Sequence, residues 1–320
     1  MRIDPQIAAL QSNPALQRKA QAELEAVRGK WLDGEARIIA EALEQYGAGA
    51  ALGDCPALAG LFHYAEEAMV LVETLVRPMI EALSCLPLGH VPLRHQRSDG
   101  FTIQQLLQKG RATLSLLAYD AMEQSPTSAC FSGGDRHEIV LAGAADMRML
   151  TLMEVREGRA AIDCETRRFV AGESISTEGF SQTRVVERVH GRMVLLRLAR
   201  SDEQPCDSLQ YALEDGRLIH RASGSRDESR REMAMALLGR MGRSDAAPLL
   251  AELAMEGTRH IRWQTLRECL ALDSLEGFRA LSGIAADPED ELASPAGALR
   301  AQLLETYPEF SHLESAPCPA

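Results

Sequence analysis

Aromatic residues are scarce in this chain, at 4% of 320 positions, which argues against a stacking platform for bases or sugars. Positive charge is in deficit too. With 34 Lys and Arg against 46 Asp and Glu, the formal net charge is -12 and the pI is near 5.2. The resulting field repels phosphate backbones and anionic headgroups, so neither nucleic acid nor a membrane surface is expected as a partner. No apolar run reaches the roughly 18 residues of a membrane span, and Met1-Arg2-Ile3-Asp4-Pro5 lacks an apolar export region, which points to the cytoplasm. Seven cysteines stand singly at 55, 85, 130, 164, 206, 269 and 318, with no Cys-x-x-Cys and no Cys/His cluster at zinc spacing. They are expected to be reduced thiols, mostly core fillers, with Cys318 in a frayed tail.

What is present is an ordinary globular composition, 46% hydrophobic and 25% charged, long enough for two or three domains. Leu16, Ala20, Leu24, Val27, Trp31, Ile38, Ile39, Ala42 and Leu43 recur at helical spacing, and Gly29 and Asp33-Gly34 are expected to divide that stretch. A second helical stretch runs from 57 to 86, where Pro78 is expected to kink or interrupt it. Beyond the Pro/Gly-rich segment 87–92 the period changes to that of strands. Arg111–Tyr119, His137–Ala142, Met147–Val155 and Arg192–Arg200 are short apolar or alternating runs, and Glu157-Gly158, His190-Gly191 and Asp215-Gly216 supply hairpin turns. Eight or nine strands at this spacing imply an antiparallel sandwich or barrel. After Ser223 the chain returns to helix and repeats. A displacement of 31 positions lays Arg231 on Arg262, Met235 on Leu266, Met241 on Leu272 and Leu250 on Leu281.

The expected fold class is therefore α+β and multidomain: a helical region at 1–88, an antiparallel β-sandwich at 89–224, helical repeats at 225–310 and a tail at 311–320. The segments "RREMAMALLGRMGRSDAAPLLAELA" and "IRWQTLRECLALDSLEGFRALSGIA" resemble HEAT-like repeats, a likeness that covers about a quarter of the chain and implies a scaffold presenting a surface to a protein partner. The central "RRFVAGESISTEG" resembles the strand, Gly-acid turn, strand form of cupin-type sandwiches. A metal cupin would carry two histidines one residue apart, then a glutamate, then a third histidine. Here His137 is followed by Glu138 and Ile139, and Gly179 by Phe180, Ser181, Gln182 and Thr183. The resemblance thus implies a metal site that has been lost or rebuilt.

Any rebuilt site would draw on His90, His95, His137 and His220, which flank or end predicted strands and could converge on iron or another divalent metal; at such positions histidines are more often solvated or hydrogen bonded. Asp163 and Glu165 share one strand face, suited to paired-carboxylate chemistry or cation binding, but with Arg159, Arg167 and Arg168 close by the expected reading is an exposed charged face. Ser132-Gly133-Gly134-Asp135 precedes a strand and reads as a turn, not a phosphate loop. Ser174, Ser176 and Ser181 lack a Gly-x-Ser-x-Gly context. In the repeats, Arg231, His260, Arg262, Trp263 and Arg267 could form a partner-binding ridge; the alternative places Trp263 in the seam between repeats, with the arginines paired to Glu232 and Glu268. No catalytic motif is assembled. That ranks a non-catalytic regulatory or scaffolding protein, with no cofactor and with room for a small ligand in the β domain, ahead of a metal-dependent cupin-type enzyme.

Overall fold

The computed structural model describes residues 14–313 apart from Pro87, Glu157, Glu178 and Pro205. Cys318, the tail beyond 313, and Glu157 of the expected Glu157-Gly158 turn lie outside the described residues. The chain divides into two compact units, Met1–Ala222 and Ser223–Ala320.

Among the described residues of the first unit, four α-helices precede the strands: α1 (Ala15–Asp33), α2 (Arg37–Ala48), α3 (Pro56–His63) and α4 (Ala65–Cys85). Their apolar stripes bury Leu24 and Trp31 of α1, Leu43 and Tyr46 of α2, Leu58 of α3, and Leu71 and Leu75 of α4 in one cluster. The Trp31 indole donates to the Leu71 carbonyl at 3.2 Å, fixing α1 against α4. Two expected breaks are corrected. Gly29 lies inside α1 and the chain turns only at Gly34; Pro78 lies inside α4, and the 57–86 stretch divides instead at Tyr64, whose backbone is extended. Helix propensity lost at one residue is a weak force when the surrounding face is buried.

The strands form three antiparallel sheets. The largest runs β1 (His95–Ser98), β2 (Phe101–Lys109), β3 (Ala112–Tyr119), β11 (Met193–Arg200), β6 (Asp135–Ala142) and β9 (Ser174–Thr177). A second comprises β4 (Met122–Glu123), β10 (Gln182–Val189), β7 (Ala144–Arg156) and β8 (Arg159–Val170), and a third β13 (Leu218–Ala222), β12 (Ser208–Ala212) and β5 (Ser128–Phe131). Because side chains alternate across a strand, each central strand of the largest sheet serves two layers. Leu114, Ile139, Leu141, Leu196 and Leu198 join the helical cluster, while Leu117, Val140, Met193 and Leu195 face Ala145, Met147, Val186 and Val189 of the second sheet. Each of these leucines, fully buried, contributes about 1.5–3 kcal/mol of transfer free energy. The helices and the sandwich therefore share a core. Gly134, with φ +93°, delivers the chain into β6; a Cβ there would collide with the Arg200 carbonyl, which is why the expected turn at Ser132–Asp135 needs glycine at that point.

The second unit contains α5 (Arg226–Met241), α6 (Ala247–Leu253), α7 (Arg259–Leu272), α8 (Ser274–Ala286) and α9 (Ala293–Thr306). Ser225 caps α5 by accepting from the Glu228 amide, Gly242 ends it at φ 65°, and Asp273 caps α8 by accepting from Leu275 and Glu276. The 31-residue correspondence holds for burial at Met235 and Leu266 and at Leu250 and Leu281. It fails at its first pair, since Arg231 is exposed and Arg262 is buried. Among the described residues no helix is long and apolar enough to cross a membrane.

Candidate functional site

The alternation that puts Ile139 and Leu141 against the helices puts Arg136, Glu138 and Val140 on the opposite face of β6, toward the second sheet. Register brings Arg197 of β11 directly beside Glu138, and Ser115 of β3 beside Arg197. Thr177 of β9 pairs with Arg136, and Arg184 reaches in from β10 of the facing sheet. Arg136, Glu138, Thr177, Arg184 and Arg197, together with Tyr119, line a pocket of about 510 Å³. The third sheet closes one side: Ala129, Phe131 and Tyr211 pack with Leu150, whereas Ser128, Cys130 and Gln210 line the pocket.

Glu138 is the electrostatic centre. Its side chain is 4% exposed, and both oxygens are taken. Arg184 donates from Nε to Oε2 and from Nη2 to Oε1 at 2.8 Å, and Arg197 donates from Nε to Oε1 at 2.5 Å. Burial by itself would raise the Glu138 pKa, but the two guanidinium groups outweigh it and hold the carboxyl down to about 2. It is ionised throughout the physiological range. Arg184, 9% exposed, loses hydration, but Glu138 and the Tyr119 hydroxyl more than compensate, so its pKa lies above the ordinary arginine value. Arg184 also lies over the Tyr119 ring, 5.9 Å from its centroid.

Arg136 is different. It donates from Nη2 to the Ser132 hydroxyl, and among the described residues no carboxylate lies within ion-pair distance of it. Burial, and then the like charge of Arg197, push its pKa down. Arg197 uses only Nε toward Glu138, leaving both Nη nitrogens without a hydrogen bond to any described residue. The charged residues lining the pocket are thus three arginines and one glutamate, a surplus of two positive charges (3 − 1) inside a protein of net charge -12. Partly desolvated cations gain from a neutralising group, so the arrangement can receive negative charge. Cys130 at the same pocket is exposed as a residue, but partial burial of its thiol raises its pKa, with Arg136 pulling the other way, so it stays a thiol near neutrality.

The expected histidine site does not assemble. His95 stands on β1, four strand positions across the largest sheet from His137 on β6, or roughly 19 Å at the usual strand spacing. His220 is on β13 of another sheet, and His90 lies in the exposed segment before β1. His137 points away from the pocket, accepts or donates at Ser176 Oγ (3.0 Å), and sits near the rings of Tyr46 and Phe62. Among the described residues no three His, Cys, Asp or Glu side chains cluster as metal ligands would. The divalent metal that a cupin resemblance implies does not fit the pocket either: guanidinium groups repel a cation, and the one carboxylate has no free oxygen.

Other candidates resolve locally. Asp163 and Glu165 are exposed on β8, while Arg159 pairs with Asp215 and Arg167 with Glu173. In the second unit, Arg262 is a correction to the expected ridge: it is buried, donates from Nε to the Ala254 carbonyl at 2.9 Å, and ion-pairs with Asp290. Its chemistry is spent holding α7 to the chain on either side. Trp263 packs against the apolar cluster of Leu266, Phe278 and Leu281, and His260 pairs with Glu232 at 2.9 Å. Only Arg231 and Arg267 of that set are fully exposed. The cysteines are also corrected: Cys55 and Cys269 are buried, but Cys85, Cys130, Cys164 and Cys206 are exposed.

Arg136, Arg184 and Arg197 stand in no recognisable ligand-binding motif, so sequence reasoning misses them. A usable signal existed: Arg197 interrupts the apolar run MVLLRLA, and a charge inside a strand covered on both faces must be paired or serve a ligand.

No family model matches the chain, so the expected HEAT-like likeness of the C-terminal helices has no match there, and no curated protein matches it. Solved structures give partial likenesses. The hydroxypropylphosphonic acid epoxidase from S. wedmorenis is 13% identical over 33% of this chain and 55% of that one, with a TM-score of 0.26; this chain thus spans about half of its length. A putative mannose-6-phosphate isomerase from Ralstonia eutropha JMP134 is 16% identical over 33% and 88%, with a TM-score of 0.26. A cupin superfamily protein from Desulfitobacterium hafniense DCB-2 is 18% identical over 33% and 83%, with a TM-score of 0.24. These likenesses assign this chain neither an activity nor a ligand.

Proposed function

We propose that the protein is a binding module whose cupin-like β domain holds a small organic anion between its two larger sheets. The observation that carries the reading is the pair of guanidinium groups, Arg136 and Arg197, that face the pocket without a carboxylate to neutralise both. Glu138 acts as an internal counter-charge. Clamped by Arg184 and Arg197 and ionised down to about pH 2, it is suited to fixing two arginines, not to exchanging protons with a substrate. The pocket volume lies in the range of small-molecule sites. This reading assigns the function to the β domain and not to the C-terminal helices, and it invokes no metal-dependent step.

The test is thermal denaturation with sulfate, phosphate, acetate and citrate at constant ionic strength. Saturable stabilisation that disappears in Arg136→Gln supports the reading, because a ligand that binds only the folded state raises stability by mass action. Equal stabilisation of wild type and variant by every salt would sink it.

A second reading concerns the C-terminal unit as a surface for a protein partner. It is supported by a groove of about 660 Å³ lined by Arg267, Leu270, Leu299, Leu303, Tyr307 and Phe310. A photo-crosslinker at Ala271 should give a discrete adduct in cells; a pattern identical to that from an exposed control position such as Arg230 would count against it.

A further inference from the structure

We infer that the group recognised in the arginine pocket is a dianionic tetrahedral oxyanion, the chemistry of a phosphate monoester, in preference to a carboxylate or any other single charge. This rests on the proposal that the pocket is an anion site. Arg184 and Glu138 form a bidentate pair that neutralises itself. What remains is two guanidinium groups, Arg136 and Arg197, close enough for each to feel the other's charge. A ligand with one negative charge leaves one of these partly buried cations uncompensated, whereas a ligand with two closes the balance. Shape agrees with charge. Arg197 offers both Nη nitrogens and Arg136 its remaining guanidinium donors, and the hydroxyls of Ser132, Thr177 and Thr183 lie on the same lining. That many donors suits the three terminal oxygens of a phosphate monoester better than the two of a carboxylate. The ester's organic part would lie against Pro126, Ala129, Val185 and Val186, the apolar part of the same wall.

The experiment compares esters matched in shape but differing in charge: methyl phosphate with methyl sulfate, and phenyl phosphate with phenyl sulfate, by calorimetric titration of the full chain at pH 8. At that pH the phosphate monoester carries two charges, its second pKa being about 6, and the sulfate ester one. Methyl or phenyl phosphate should bind at least about tenfold more tightly than its sulfate partner, since one more charge near two partly desolvated guanidinia outweighs its own hydration. Arg136→Gln should abolish that preference, and Arg136→Lys, which keeps the charge without the planar fork, should weaken both esters while retaining it. Among the described residues the Arg136 side chain hydrogen-bonds only to Ser132, so both variants are expected to fold, and their thermal midpoints check this. Sulfate esters or benzoate binding as tightly as the phosphates would overturn the dianion inference and leave the anion site standing. Phosphate binding that is absent, or unchanged in Arg136→Gln, would overturn both.

Discussion

Replacing Glu138 by Gln removes one negative charge with little change in volume and leaves three arginines facing one another across the pocket. Breaking a buried ion pair from one side typically costs about 3–5 kcal/mol, because the remaining charge stays desolvated. The titration of Glu138 gives a second route to the magnitude. A carboxyl moved from 4.5 to about 2 on folding is worth about 3 kcal/mol at neutral pH, in order of magnitude. The sign follows from the direction: the folded pKa is depressed, so the stabilisation is fully present above pH 4.5 and fades as pH falls toward 2. With those two pKa values about 2 kcal/mol is already gone at pH 3. Trp31, buried in the first unit, reports that unit alone once Trp263 is changed to Phe, and its fluorescence can be followed in urea. Two results are expected: E138Q loses about 3 kcal/mol at pH 7, and its deficit against wild type shrinks by about 2 kcal/mol at pH 3. A deficit under about 1 kcal/mol, or one that does not change with pH, would refute the view of Glu138 as the ionised hub of the pocket.

In the second unit, Arg262→Met leaves the Ala254 carbonyl and Asp290 without their partner and should cost about 2 kcal/mol, read from Trp263 fluorescence in a Trp31→Phe background; no loss would mean the clamp is idle. Native alkylation followed by mass spectrometry should modify Cys85, Cys130, Cys164 and Cys206 and spare Cys55 and Cys269. Within that group Cys130 should react no faster than an ordinary thiol, because burial raises its pKa; unusually rapid modification would mark it as an activated nucleophile.

Periodicity made the elements legible and left the site obscure. The runs 111–119, 137–142, 147–155 and 192–200 coincide closely with β3, β6, β7 and β11, and the repeat helices fall within a few residues of α5 to α9. Local hydrophobic spacing encodes those elements directly. The pocket depends on which strands become neighbours, which spacing does not encode. Arg136 and Arg184 are 48 positions apart in sequence, yet both line one cleft because β6 and β10 lie in facing sheets. His137 and Glu138 are adjacent in sequence but point to opposite layers, so the histidine that drew attention packs against helices while the glutamate beside it organises the interior. The repeat displacement likewise aligned Arg231 with Arg262 without revealing that only the second is enclosed.

The central claim is that the β-domain pocket holds an anion. Crystals soaked in selenate, a tetrahedral dianion with an anomalous signal, test it most directly. The account predicts an anomalous peak inside the pocket within hydrogen-bonding distance of the Arg136 and Arg197 guanidinium groups, absent in crystals of Arg136→Gln. Selenate peaks confined to the outer surface, or a transition metal bound to Glu138 in crystals of the purified protein, would contradict it.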